Sequence, residues 1–176
     1  KSKDITMTSL DIHFLHGFGM VGQHSENITM DDVDFEAPKE SGRTTAGYAD
    51  FVQMSGCKGT INISNCTFAG PHDDPINIHG TFNTVTAISS DRRTITVQYN
   101  HNETAGFPNF FEGDEIEFMT KGNMITVEDS VRTVTKVDGP DGMGGNMGDG
   151  SGSLTTIKLT LNEAVPSDVQ VNQHVV

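Results

Sequence analysis

The sequence predicts an all-β protein built from two modules. Residues 1–82 form parallel β-helix coils, and residues 83–176 form a small antiparallel β-barrel or sandwich. Three observations carry this. The first 80 residues repeat a strand-like apolar pattern in register. After Thr81 that pattern gives way to short alternating stretches separated by turn residues. The composition, with 19 glycines and no tryptophan, suits a β protein with many turns.

The coils come first. "ITMTSLDI" begins at Ile5, "ITMDDVDF" at Ile28 and "INISNCTF" at Ile61. Alignment gives four apolar columns: Ile5, Ile28, Ile61; Met7, Met30, Ile63; Leu10, Val33, Cys66; and Ile12, Phe35, Phe68. Polar residues stand between them, Ser9, Asp32 and Asn65 among others. A period in the twenties with strand-type alternation indicates a solenoid of β coils. Stacking such coils about 4.8 Å apart turns each column into an inward ladder. The offsets between copies are unequal, so the second coil carries a longer loop. "EAPKESGRTTAG", residues 36–47, has the Pro, Gly and Ser content for it. "YADFVQMSGC" then supplies another strand, opened by Asp50, and the run Asp73–His79 a further one. A leucine-rich repeat would need a Leu and Asn framework that these residues lack. An immunoglobulin-like sandwich would not hold four columns in register.

The second module follows. "NTVTAISSDRRTITVQY" reads as two strands around a Ser-Ser-Asp-Arg-Arg turn. "GDEIEFM", "MITVEDSVRTVTKVD", "LTTIKLTLNE" and "VQVNQHVV" alternate in the same way and suggest a small barrel or sandwich. "GPDGMGGNMGDGSG", residues 139–152, reads as a flexible surface loop.

Charge and composition exclude several functions. A net charge of −13 argues against nucleic acid as a partner, because phosphates call for Lys and Arg clusters. No stretch reaches the ~20 apolar residues of a membrane span. No His/Cys spacing matches a zinc site, and no Gly-rich loop matches a nucleotide fingerprint. Cys57 and Cys66 are too few to define an oxidising compartment, and Cys66 falls in an apolar column as a buried thiol would.

The chemistry gathers in "GPHDDPINIHG", residues 70–80, with paired acids at Asp73 and Asp74. Asp50 precedes them by about one coil, so a β-helix brings three carboxylates onto neighbouring rungs. Stacked side chains lie roughly 5 Å apart and diagonal ones roughly 7 to 8 Å. In an extended run Asp73, Asn77 and His79 share one face, while Ile76 and Ile78 point into the coil. Pro75 allows a bend after Asp74. Like charges within about 4 to 6 Å cannot all ionise cheaply, which separates an acid from a base as glycoside hydrolysis requires. Calcium binding or ordinary turn chemistry would use the same residues. His72, Asn77 and His79 are candidates to bind sugar hydroxyls.

The run "ADFVQMSGCKGTINISNCTFAGPHDDPINIHGTF", residues 49–82, resembles the signature region of glycoside hydrolase family 110, bacterial exo-acting α-1,3-galactosidases. "GFPNFFEGDEIEFM", residues 106–119, resembles the barrel inserted into that family's β-helix. The resemblance implies a right-handed parallel β-helix and inverting hydrolysis without metal or other cofactor. It implies Asp50, Asp73 and Asp74 as the essential aspartates, and galactose-terminated glycans of the blood group B type as substrates. By analogy with polygalacturonases, Asp73 would protonate the glycosidic oxygen and Asp50 with Asp74 would activate water. The location implied is secreted, periplasmic or at the bacterial cell surface.

Two rival readings remain open on the sequence. A polygalacturonase-like enzyme would need basic residues for a uronate; this chain has few, and Lys58 is the one expected near the cluster. A non-enzymatic β-helical adhesin or carbohydrate-binding module would tolerate loss of all three aspartates. The few coils, without capping segments, lead to the expectation that these residues are a piece of a longer enzyme and turn over little alone. Open coil ends would favour homo-oligomers or other self-association through unpaired backbone groups.

Overall fold

The computed structural model describes residues 2–101, 104–105, 108–140 and 155–176. The chain divides into two compact units, Lys1–Gly80 and Thr81–Val176. Most of the loop expected over residues 139–152 lies outside the described residues.

The first unit contains two parallel sheets visited in alternation. One holds β1 (Lys3–Ile12), β3 (Glu26–Phe35), β5 (Lys58–Ser64) and β6 (Thr67–Phe68); the other holds β2 (Met20–Gln23), β4 (Val52–Ser55) and β7 (Ile76–His79). The first sheet keeps the register read from the repeat. Ile5 pairs with Ile28 and Ile28 with Ile61; Met7 with Met30 and Met30 with Ile63; Ile12 with Phe35 and Phe35 with Phe68. The extra residues of the second repeat fall between Phe35 and Val52, where Lys39–Ser41 makes a single 3₁₀ turn.

Side chains of the middle strands form the core. Ile28, Met30, Val33, Phe35, Phe51, Val52 and Met54 are buried. The flanking strands have a neighbour on one side only, so Ile61, Cys66 and Phe68 are half-buried and Leu10 is exposed. Ile76 and Ile78 depart from their expected inward burial. They stand level with Val52 and Met54, yet they are 40% and 52% exposed. β7 is the last strand of its sheet, so among the described residues no further strand pairs beyond it to cover them. Both cysteines are free thiols.

Polar residues shape the corners. Asp4, Asn27 and Gly59 adopt φ of 54°, 56° and 73°; Ser9, Asp32 and Asn65 adopt 53°, 58° and 53°. Each set recurs at the same point of successive strands, and Asn, Asp and Gly are the residues that visit this region at least cost. Side chains tie one corner to the next. Asn27 Nδ2 donates to Asp4 Oδ1 (2.8 Å), and Asn27 Oδ1 accepts the Thr60 backbone N–H (3.2 Å). Asp31 Oδ1 accepts from Asn65 Nδ2 and the Ser64 hydroxyl, and these bonds hold its carboxyl below the usual carboxylate range. Asn27→Ala is expected to cost about 1 to 3 kcal/mol, from two lost hydrogen bonds and a side chain ill-suited to positive φ. Asn27→Gly relieves the second cost and should lose less; urea unfolding of both variants checks the order.

The second unit is an antiparallel sheet of order β10–β12–β13–β9–β8–β14–β11. Its strands are β8 (Asn83–Ile88), β9 (Thr94–Tyr99), β10 (Glu115–Ile116), β11 (Phe118–Met119), β12 (Arg132–Asp138), β13 (Thr156–Leu161) and β14 (His174–Val175). The two edge strands, β10 and β11, are separated in sequence by Glu117 alone, so the sheet nearly closes. Alternation selects the core: Ile95, Val97 and Tyr99 from β9, and Ile157, Leu159 and Leu161 from β13. The Ser-Ser-Asp-Arg-Arg turn joins β8 to β9. There Arg92 donates to the carbonyls of Val165 (2.9 Å), Pro166 and Val169 (2.7 Å), fastening the 165–169 loop to the hairpin.

Two of the expected strands are shorter than the alternation suggested. In "VQVNQHVV" only His174 and Val175 pair. Upstream, Gln170 N–H bonds Gln173 Oε1 (2.9 Å) and Asn172 takes φ 73°, a local turn that satisfies the backbone. In "MITVEDSVRTVTKVD" the strand begins at Arg132, with Met124 and Asp129 at positive φ before it.

Burial pushes the Tyr99 hydroxyl up to about 12. The folded pKa exceeds the unfolded one, so this stability is complete below about pH 10 and is lost as pH rises toward 12. Two pH units correspond to about 2 to 3 kcal/mol. A base titration of phenolate absorbance should show one of the two tyrosines ionising late, together with unfolding of the second unit.

Candidate active site

The candidate residues lie where two connections enter the second parallel sheet. Asp50 precedes β4 by two residues, and Asp74 precedes β7 by two. The pairing of Val52 with Ile76, continued two residues back, sets Asp50 level with Asp74. Backbone bonds hold that alignment beyond the strands. Phe51 N–H donates to the Asp74 carbonyl (3.1 Å), and Gly19 N–H donates to the Asp50 carbonyl (2.9 Å). Gly19 is required by space, since a Cβ there would lie 2.3 Å from the Phe51 carbonyl oxygen and 2.7 Å from the Phe35 ring.

Asp50, Asp73 and Asp74 come together: one carboxylate oxygen from each lies within 4.8 Å of the others. Asp50 is buried and the other two are exposed. Asn77 Nδ2 donates to Asp50 Oδ2 (3.1 Å), giving the buried carboxylate a neutral partner. Asp73 Oδ1 accepts the Asp74 backbone N–H (3.1 Å), which fixes the pair at the mouth of the strand.

The histidines separate. His72 is exposed, with its ring centroid 5.9 Å from that of Tyr48. His79 stands level with Ser55 at the far end of β7, and its Nδ1 donates to the Gly80 carbonyl (2.9 Å). It is therefore not among the groups gathered around the three carboxylates. The geometry adds a neighbour the sequence reading passed over, Tyr48. The signal was present: Tyr48 precedes His72 by the same interval as Asp50 precedes Asp74.

One buried and two exposed carboxylates at this spacing can divide proton donation from water binding, the equipment of general acid–base hydrolysis. They could equally share a divalent cation, as oxygen donors do for calcium. No helix among the described residues is long and apolar enough to cross a membrane.

Comparison with known proteins gives this class its relatives. The domain described as GLAA-B beta-barrel domain II matches residues 94–141. An alpha-1,3-galactosidase A of Streptomyces avermitilis is 48% identical over 176 residues, which is 100% of this chain and 27% of the relative. The alpha-1,3-galactosidase A of Peterkaempfera griseoplana is 45% identical over 170 residues, 96% of this chain and 23% of the relative. That of Bacteroides thetaiotaomicron is 46% identical over 127 residues, 72% of this chain and 22% of the relative. The chain thus spans about a quarter of the length of these curated relatives. It is a homologue of one segment of the α-1,3-galactosidases, the group its residues 49–82 and 106–119 resemble.

Proposed function

We propose that this chain supplies the catalytic carboxylates of an exo-acting glycoside hydrolase that removes terminal α-1,3-linked galactose, as on blood group B-type glycans. The observation that carries the reading is the convergence of Asp50, Asp73 and Asp74 within 4.8 Å, in a chain whose relatives bear the name alpha-1,3-galactosidase. The two parallel ladders are read as successive turns of a right-handed parallel β-helix, the hand that parallel crossovers almost always take. Such an enzyme works outside the cytoplasm or at the cell surface, where glycans are met.

The roles are those that the analogy with polygalacturonases implies. Asp73 is exposed and donates its proton to the glycosidic oxygen. Asp50 and Asp74 hold the attacking water. Two carboxylate oxygens up to 4.8 Å apart can both accept from one water at about 2.8 Å. That spacing is tighter than the ~6.5 to 9.5 Å usual between an inverting acid and base. The inverting assignment therefore rests on a water clamped by two aspartates rather than on a widely separated pair.

The test is hydrolysis of an α-1,3-galactobiose by the full-length protein that contains this chain, with the product anomer followed by NMR and with EDTA in a parallel sample. Initial release of β-galactose, undiminished by the chelator, is the expected result. Initial α-galactose overturns the inverting mechanism. Activity that vanishes with EDTA and returns with calcium transfers the three aspartates to a cation.

A further inference from the structure

We infer that Tyr48 is a stacking platform for the galactose ring beside the three aspartates. The inference rests on the galactosidase reading above and adds a specificity-determining residue to it. Tyr48 is 74% exposed, more than any other large hydrophobic side chain among the described residues. Single exposed apolar side chains are ordinary on protein surfaces, and two features set this one apart.

The first is a rigid mount. Ala46 and Gly47, just before Tyr48, are buried. Leu15 N–H bonds the Ala46 carbonyl (2.7 Å), and Ala49 N–H bonds the Gly17 carbonyl (3.3 Å). The buried Thr45 hydroxyl donates to the Gly47 carbonyl (2.7 Å) and accepts the Gly47 N–H (3.1 Å). The backbone is thus pinned on both sides of a ring that stands in water. A side chain held this way loses little freedom when a ligand meets it.

The second is its address. Continued four residues back from Val52 and Ile76, the strand register sets Tyr48 level with His72, two positions from the level shared by Asp50 and Asp74. The ring contact obeys that register: the Tyr48 and His72 centroids are 5.9 Å apart at 76°. His72 therefore touches the tyrosine edge-on and leaves most of its ring uncovered.

The chemistry of galactose fits an open aromatic ring in this place. Its axial 4-hydroxyl leaves the C–H bonds at C3, C4 and C5 on one face, an apolar and weakly positive patch. An aromatic ring offers apolar area and a negative face to such a patch. The glucose epimer, with an equatorial 4-hydroxyl, breaks up the patch. In the proposed pose a galactose ring stacked on Tyr48 turns its anomeric carbon toward Asp50 and Asp74, two positions further along the register.

The experiment compares Tyr48→Ala and Tyr48→Phe in the full-length protein on α-1,3-galactobiose. Tyr48→Ala is expected to raise KM about tenfold with kcat little changed, and Tyr48→Phe to restore most of it, because the face and not the hydroxyl makes the contact. Ring-labelled tyrosine NMR of the 176-residue chain guards against a misfolded variant. The chain has two tyrosines, and Tyr99 is fully buried as an internal reference. Methyl α-galactoside should move the Tyr48 signals and leave those of Tyr99, while methyl α-glucoside should move neither. Hydrolysis with an unchanged KM in Tyr48→Ala, or Tyr48 signals unmoved at high galactoside, overturns the platform and leaves the galactosidase reading standing. A wild-type protein that hydrolyses no α-galactoside overturns that reading and the platform with it.

Discussion

Asp73→Asn is expected to fold normally and to lose hydrolysis of α-1,3-galactobiose by about 10² to 10⁴-fold, the range that general acid catalysis supplies. Folding should survive because Asp73 Oδ1 accepts the Asp74 N–H, which an asparagine Oδ1 accepts equally well. The side chain is exposed, so no buried space changes. What asparagine cannot do is deliver a proton to the departing oxygen. The loss should therefore depend on the leaving group: severe on a disaccharide, slight on a p-nitrophenyl α-galactoside, whose phenolate departs with little help. Asp50→Asn and Asp74→Asn remove water activation instead and should depress both substrates alike. The measurement is kcat/KM on the two substrates for the three variants in the full-length protein. An Asp73→Asn enzyme that keeps more than half its activity on the disaccharide would place the acid elsewhere.

Columns of like residue at a fixed offset were readable because a parallel ladder stacks each residue on its counterpart. Ile5, Ile28 and Ile61 advertise the pairing before any coordinates exist, and the observed register follows them. Convergence of the aspartates was readable for the same reason, since one repeat separates Asp50 from Asp74. Other features were hidden. β2 is short and contains Gly22, so its pairing with β4 left no apolar column to notice. The corner residues Ser9, Asp32 and Asn65 look like ordinary polar spacers, and only their backbone angles show that they turn the chain. Parity along a strand placed Asp73, Asn77 and His79 on one face, yet His79 is too far along β7 to join the group. Asn77 joins it through its Nδ2, which donates to Asp50 Oδ2. Burial was hardest to foresee. Position in the repeat gives a side chain's direction, while the number of strands on either side gives its exposure. That is why Ile76 and Val52 share a column and differ so widely in solvent contact.

Phe35→Ala should be the most destabilising single change in the first unit, at about 3 to 5 kcal/mol, the usual cost of deleting a buried phenylalanine. Phe35 is wholly buried, with its ring stacked between Phe51 at 5.3 Å and Phe68 at 5.4 Å, nearly parallel to both. Its edge also fills the space against Gly19, where the backbone comes too close to Phe51 for any side chain. Removing it leaves a cavity walled by paired strands that cannot collapse freely. Phe68, at the end of the same stack and half-buried, should cost less, about 1 to 3 kcal/mol, because part of its surface already meets water. The order of the two variants thus tests which strand is central, independently of any assay of function. Urea unfolding can be followed by the reactivity of Cys57 and Cys66, both half-buried and packed against this core. The stack also lies beneath the site, for Phe51 carries the backbone N–H that aligns Asp74 with Asp50. Phe35→Leu, which refills most of the volume, should recover much of the stability and keep the aspartates in line. Equal losses for Phe35→Ala and Phe68→Ala would mean that the two rings are equally enclosed, and that a further layer covers Phe68 in solution.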